Sequence, residues 1–117
     1  MTIYQKLGGA AAIDAAVDIF YRRVLSDERV SNFFDDVDME RQHAKQRAFL
    51  TMVLGGPHEY RGRDLRSAHQ GMALNDGHFD AVAEHLEATL QELQVGSDDI
   101  SAVLAVVEGA RPDVLDR

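Results

Sequence analysis

With 117 residues, 45% of them hydrophobic and 27% charged, the chain has the length and composition of one globular domain over residues 1–117, and not of a disordered or fibrous protein. Twelve basic against twenty acidic residues give a net charge of −8, which repels phosphate backbones and anionic lipid and argues against nucleic-acid or membrane-surface work. The absence of cysteine removes disulfides, thiolate metal sites and cysteine nucleophiles and fits a reducing, cytoplasmic setting. No apolar run approaches the roughly 18 residues of a membrane span, and no secretory leader is expected.

Gly8 and Gly9 mark a turn, after which Ile13, Ala16, Val17, Phe20, Tyr21, Val24 and Leu25 recur at three and four residue steps and form the stripe of an amphipathic helix. A polar connector leads to Phe33 and Phe34, and Asp36 or Asp38 offers an N-cap for a helix running from about Met39 to Leu54. Gly55-Gly56-Pro57 ends that helix. A loop with Tyr60 and Gly62 follows, then a short helical stripe of Leu65, Ala68, His69 and Met72. Phe79, Val82, Ala83, Leu86, Leu90 and Leu93 predict the clearest helix, closed by Gly96; Ser97 caps the last one, with Ile100, Val103, Leu104 and Val107 inward and a short tail after Gly109 and Pro112. No segment alternates with period two, so the expectation is an all-α fold.

Several polar residues do not fit a plain helical bundle. His69 shares an apolar stripe with Leu65 and Met72, and a buried imidazole needs a partner, either a backbone carbonyl or a ligand. Gln42 and Gln46 lie on one helical face that continues into Phe49, Leu50 and Val53. Either they stay wet or they bond to something inside, because an unsatisfied buried amide costs roughly 1–3 kcal/mol. Tyr21 stands in the middle of its own apolar stripe, where a core role with the hydroxyl at the surface is the ordinary reading. Together with five phenylalanines, these groups outline an apolar cavity with a few convergent polar groups, of the kind that suits a planar iron porphyrin. His43, His58, His78 and His85 do not pair with carboxylates at metal-site spacing, and surface or capping roles are expected for His78 and His85. No P-loop, GxSxG, HExxH or GxGxxG pattern is present.

The order Tyr4 to Gly9, Phe20-Tyr21, Phe33-Phe34, Gln42, Gln46, Phe49, Gly55-Gly56-Pro57, Tyr60, Gly62 and Ala68-His69-Gln70 resembles the group I truncated haemoglobins over nearly the whole chain. The resemblance implies an all-α, truncated globin-like, two-over-two helical sandwich enclosing one haem b (iron protoporphyrin IX). It implies His69 as the proximal iron ligand, with Phe34, Phe49, Phe20, Leu65 and Leu86 against the porphyrin. It also implies Tyr21, Gln42 and Gln46 as the distal donors, and Lys45 either at a propionate or as a distal sixth ligand, as in green-algal relatives. Cyanobacterial relatives attach haem through a C-terminal histidine, and here none follows His85, so no such link is expected. Leu50 stands where mycobacterial relatives have a phenylalanine thought to gate a ligand tunnel.

The function implied is binding of dioxygen, nitric oxide and carbon monoxide, with nitric oxide dioxygenation to nitrate as the leading reaction and an electron donor or reductase as partner. Dioxygen storage or transport, and a redox or sensing role of a six-coordinate haem, are the alternatives. A monomer is expected.

Overall fold

The computed structural model describes residues 2–57, 69 and 72–115. Helix α1 (Ile3–Leu7) precedes α2 (Ala10–Leu25), a 3-10 turn (Ser31–Phe34), α3 (Met39–Val53), α4 (Asp76–Glu92), α5 (Ser97–Gly109) and α6 (Arg111–Val114), and no strand occurs among the described residues. Helix α2 packs on both α3 and α4, α4 on α5, and α3 on α5, so the four long helices form two stacked pairs. Ile13, Val17, Val24, Val30, Leu50, Leu54, Leu90 and Val103 are fully buried between them. Tyr60, Gly62, Leu65, Ala68 and Gln70 lie outside the described residues.

The long helices follow the hydrophobic periodicity because each buries one stripe. In α2 that stripe is Ile13, Ala16, Val17, Phe20, Tyr21 and Val24. Leu25, expected to belong to it, is 45% exposed, since the chain turns at Ser26 before any element covers it. Asp38, and not Asp36, caps α3 by accepting from the Glu40 and Arg41 amides. Past the end of α3, Gly55 takes a left-handed φ of +85°, which only glycine adopts cheaply.

Four local expectations are corrected. Helix α1 carries no stripe of its own and was not expected. It forms because Thr2 and Gln5 cap each other reciprocally, with both bonds at 3.1 Å, and because the Tyr4 amide donates to the Leu54 carbonyl at 3.0 Å. Helix α4 ends at Glu92, with Gln94 in the left-handed region, so Gly96 does not close it. Gly96 is instead the N-cap of α5; Ser97 is already helical and makes no capping bond, while Asp98 and Asp99 complement the helix dipole in the first turn. The segment after Gly109 is not a bare tail. It forms α6, with Pro112 in the first turn, where its missing N–H costs nothing.

Two polar clusters tie these helices together. Arg111 reaches Asp76 and Asp80 of α4 and Glu108 of α5 at 2.6–2.9 Å, and its guanidinium lies 4.3 Å from the centre of the Phe79 ring. His85, expected at the surface, is largely covered, and its Nε2 stands 2.6 Å from the Asp27 carboxylate, which joins α4 to the turn after α2. Hydrogen bonds from the Arg29 side chain and amide, and then from His85, hold the Asp27 carboxyl well below the usual carboxylate range.

At the join between α1 and α3, a Cβ on Gly56 would stand 2.7 Å from Tyr4 Cγ and Cδ2 and 2.9 Å from Thr51 Cγ2. Gly56→Ala should therefore destabilise the fold by about 1–3 kcal/mol through overpacking. Urea unfolding of wild type, Gly56→Ala, Tyr4→Ala and the double variant checks it: the alanine penalty at position 56 should shrink once the ring is gone.

Candidate functional site

Between the two helix pairs lies a cavity of about 680 Å³, within the roughly 300–1,000 Å³ typical of cofactor sites. Phe20 and Tyr21 of α2 and Phe33 and Phe34 of the 3-10 turn form its aromatic wall. Gln42, Lys45, Gln46 and Phe49 of α3 contribute a second wall. His69 and Met72 face it from the connecting segment, His78, Phe79 and Val82 from the start of α4, and Val107 of α5, Val114 of α6 and Ala110 at their join also line it.

Tyr21 is the best-fixed polar group. Its side chain is 2% exposed, wedged edge-on against Phe20 at 5.1 Å and Phe34 at 5.6 Å, with the His43 ring 4.8 Å away. Gln42 Nε2 donates to the Tyr21 hydroxyl oxygen at 2.9 Å. The amide therefore uses one lone pair of the phenol and leaves its proton to be donated elsewhere. Burial pushes the Tyr21 phenol up to about 12, against a smaller lowering by the Gln42 bond, so the group stays protonated at neutral pH. His43 takes the place of an outer support: its Nδ1 donates to the Met39 carbonyl at 2.7 Å, Nε2 faces Asp18 at 3.6 Å, and the ring backs Tyr21.

Of the residues singled out in the sequence, Tyr21, Gln42, Gln46, His69, Phe34, Lys45, Phe49 and Phe20 all line the one cavity. Leu86 sits in the core cluster and is not among the lining residues. The apolar stripe of α4 is longer than the cavity, whose wall takes only Phe79 and Val82 from it. Leu65 lies outside the described residues. Sequence reasoning missed the α5–α6 contribution, because Ala110 and Val114 flank a proline and carry no periodic signal. It also gave His78 a surface or capping role without its place in the cavity wall; the ring both caps α4 and lines the cavity.

The donor set fits a haem. Aromatic and aliphatic walls suit a flat macrocycle, imidazole suits its iron, and among the described residues no cluster of three or more His, Asp or Glu side chains could hold a bare metal ion.

The family model of the bacterial-like globins matches residues 2–115. The chain is 51% identical to the group 1 truncated haemoglobin of Tetrahymena pyriformis, covering 97% of this chain and 94% of that protein. It is also 51% identical to the group 1 truncated haemoglobin of Synechocystis, covering 99% and 98%. The crystal structure of a Synechococcus 2/2 haemoglobin, in the cyanomet state with covalently attached haem, superposes with a TM-score of 0.92 at 48% identity over all of both chains. The chain belongs to the bacterial-like globin family and, within it, to the group 1 truncated haemoglobins. Its fold is the two-over-two helical sandwich, and its family binds haem and diatomic ligands.

Because burial pushes the Tyr21 phenol up to about 12, above the roughly 10 of an ordinary tyrosine, the unfolded chain ionises first as pH rises. Tyr21 should therefore contribute no pH dependence below about pH 10 and a falling stability from there to about pH 12, a loss of roughly 3 kcal/mol in all. Denaturant unfolding of wild type and Tyr21→Phe between pH 8 and pH 12, a range of roughly two units on either side of the onset, checks the sign: the wild-type curve should fall more steeply.

Proposed function

We propose that the cavity holds one haem b with His69 as its protein ligand, and that Tyr21, Gln42 and Gln46 retain dioxygen there for reaction with nitric oxide. When bound, the haem supplies a coordination site for diatomic molecules and a one-electron couple. Phe20, Phe34 and Phe49 exclude water from the cavity, which strengthens every hydrogen bond made inside it. Nitric oxide and dioxygen then combine to nitrate with uptake of one electron, which an external reductase or other electron donor must return.

The observation that carries this reading is the Gln42–Tyr21 bond of 2.9 Å at the cavity wall. It fixes the phenol oxygen as an acceptor from α3 and turns the hydroxyl into an oriented donor that is neutral and therefore always protonated in use. An aimed donor slows escape of a small polar guest and so favours conversion in place over release. Stopped-flow mixing of the dioxygen-loaded protein with nitric oxide tests the reaction, and nitrate formation no faster than in free solution would leave dioxygen storage as the function.

Lys45 supports a second reading, that of a six-coordinate haem with a redox or sensing role. It lines the cavity three residues after Gln42, is exposed, and makes no salt bridge among the described residues. Only its neutral amine can coordinate iron, so ligation would grow as pH rises and would disappear from ferric spectra in Lys45→Ala.

His69→Ala should abolish stable haem retention, read as loss of the Soret band through gel filtration. Tyr21→Phe should accelerate dioxygen dissociation by a factor of roughly 5–150, which corresponds to one net hydrogen bond of about 1–3 kcal/mol. Flash photolysis and stopped-flow displacement measure that rate directly.

A further inference from the structure

We infer that His78 is a binding residue for the cofactor's carboxylate, its Nε2–H donating to a haem propionate at the α4 end of the cavity. The inference rests on the proposed haem occupancy and adds a contact that the iron and the distal donors do not explain.

The helix cap at the start of α4 fixes the His78 ring. Asn75 Oδ1 accepts from the His78 amide at 2.9 Å, and the Asn75 amide points at His78 Nδ1 at 3.2 Å. A backbone N–H can only donate, so Nδ1 is the acceptor, and the neutral ring must carry its proton on Nε2. The ring cannot swing away, because it also stands edge-on to Phe33 at 4.9 Å and 79°. A half-buried ring with a fixed tautomer thus lines the cavity, and no group among the described residues meets its Nε2.

An N–H at the wall of an apolar cavity calls for an acceptor. The rim of a haem is hydrocarbon apart from its two propionates, so a carboxylate is the acceptor the cofactor can offer. The distal donors Tyr21, Gln42 and Gln46 come from α2 and α3, whereas His78 enters from α4 and serves a different part of the guest. The acidic residues around it do not oppose an anion strongly, since Asp76 and Asp80 are both engaged by Arg111 at 2.9 and 2.6 Å.

The test separates the cap from the propionate contact. His78→Glu keeps an acceptor for the Asn75 amide, as the usual third-position partner of a capping box, but removes the donor and places a carboxylate beside the propionate. His78→Gln keeps both the acceptor and an N–H donor. Each variant and wild type is loaded with haem or with haem dimethyl ester, whose propionates are blocked, and haem loss is followed by transfer to excess apomyoglobin. With haem, His78→Glu should lose cofactor roughly ten-fold or more faster than wild type, the factor expected for a charge-assisted hydrogen bond, and His78→Gln should stay close to wild type. With the dimethyl ester all three should release at similar rates.

A wild-type rate for His78→Glu, or the same acceleration with the ester as with haem, overturns the inference. Proton NMR of wild type supplies a measurement that needs no variant: the His78 Nε2 proton should become slow to exchange on loading with haem and remain fast with the ester. Fast exchange in both overturns it equally. A protein that takes up no haem and shows no Soret band would overturn the proposed function instead.

Discussion

A hydrogen bond between two helices organises the site: the Gln42 amide of α3 donating to the Tyr21 hydroxyl of α2 at 2.9 Å. Both residues interrupt apolar stripes, and in a closed helical core each would leave an unsatisfied polar group. By satisfying one another they make a polar wall tolerable between helices that otherwise meet through side chains such as Val17 and Leu50. They also leave the phenol proton unused by the Gln42 bond, in a cavity wall that Gln46 shares. The two stacked helix pairs can therefore enclose about 680 Å³ of space without collapsing onto it, given a guest that covers the aromatic walls.

The remaining architecture serves that cavity from outside. Arg111 gathers three carboxylates from α4 and α5 and lies over Phe79, a wall residue, so the C-terminal turn that brings Val114 to the cavity is held to the helix that forms the floor beside it. At the other end, His85 and Arg29 converge on Asp27 and fix the turn that leads to Phe33 and Phe34. The contacts of Arg111 and Arg29 are exposed at one partner and each alone is worth little, whereas His85 and Asp27 are both largely covered. Their value is geometric, since they join segments that share no continuous hydrophobic stripe.

Much of this was legible in the sequence. Helices α2, α3, α4 and α5 follow from residues such as Ile13, Val17 and Val24, or Leu86 and Leu90, spaced to one face, and Asp38 and Gly55 mark boundaries by well-understood local chemistry. The candidate site was legible for a related reason. Tyr21, Gln42, Gln46 and His69 stand out because polar side chains on apolar faces demand a partner, and their order along the chain matches a family that binds haem.

What the sequence determined by itself is thus the set of long helices, their inward faces and the polar residues those faces carry, because periodicity and caps act within a few residues of the chain. The remaining features depend on contacts between distant segments. Helix α1 forms where the Tyr4 amide finds the Leu54 carbonyl, and α6 where Arg111 finds Asp76 and Asp80. Gly96 rather than Ser97 became the cap of α5, and Leu86 went to the core rather than the cavity wall. His78, whose local sequence announces no more than a helix start, was carried into the wall by the packing of α4 beside Phe33. A hydrophobic stripe fixes which way a residue faces, but which element it meets there is set by how the helices stack, and one-dimensional spacing holds no record of that.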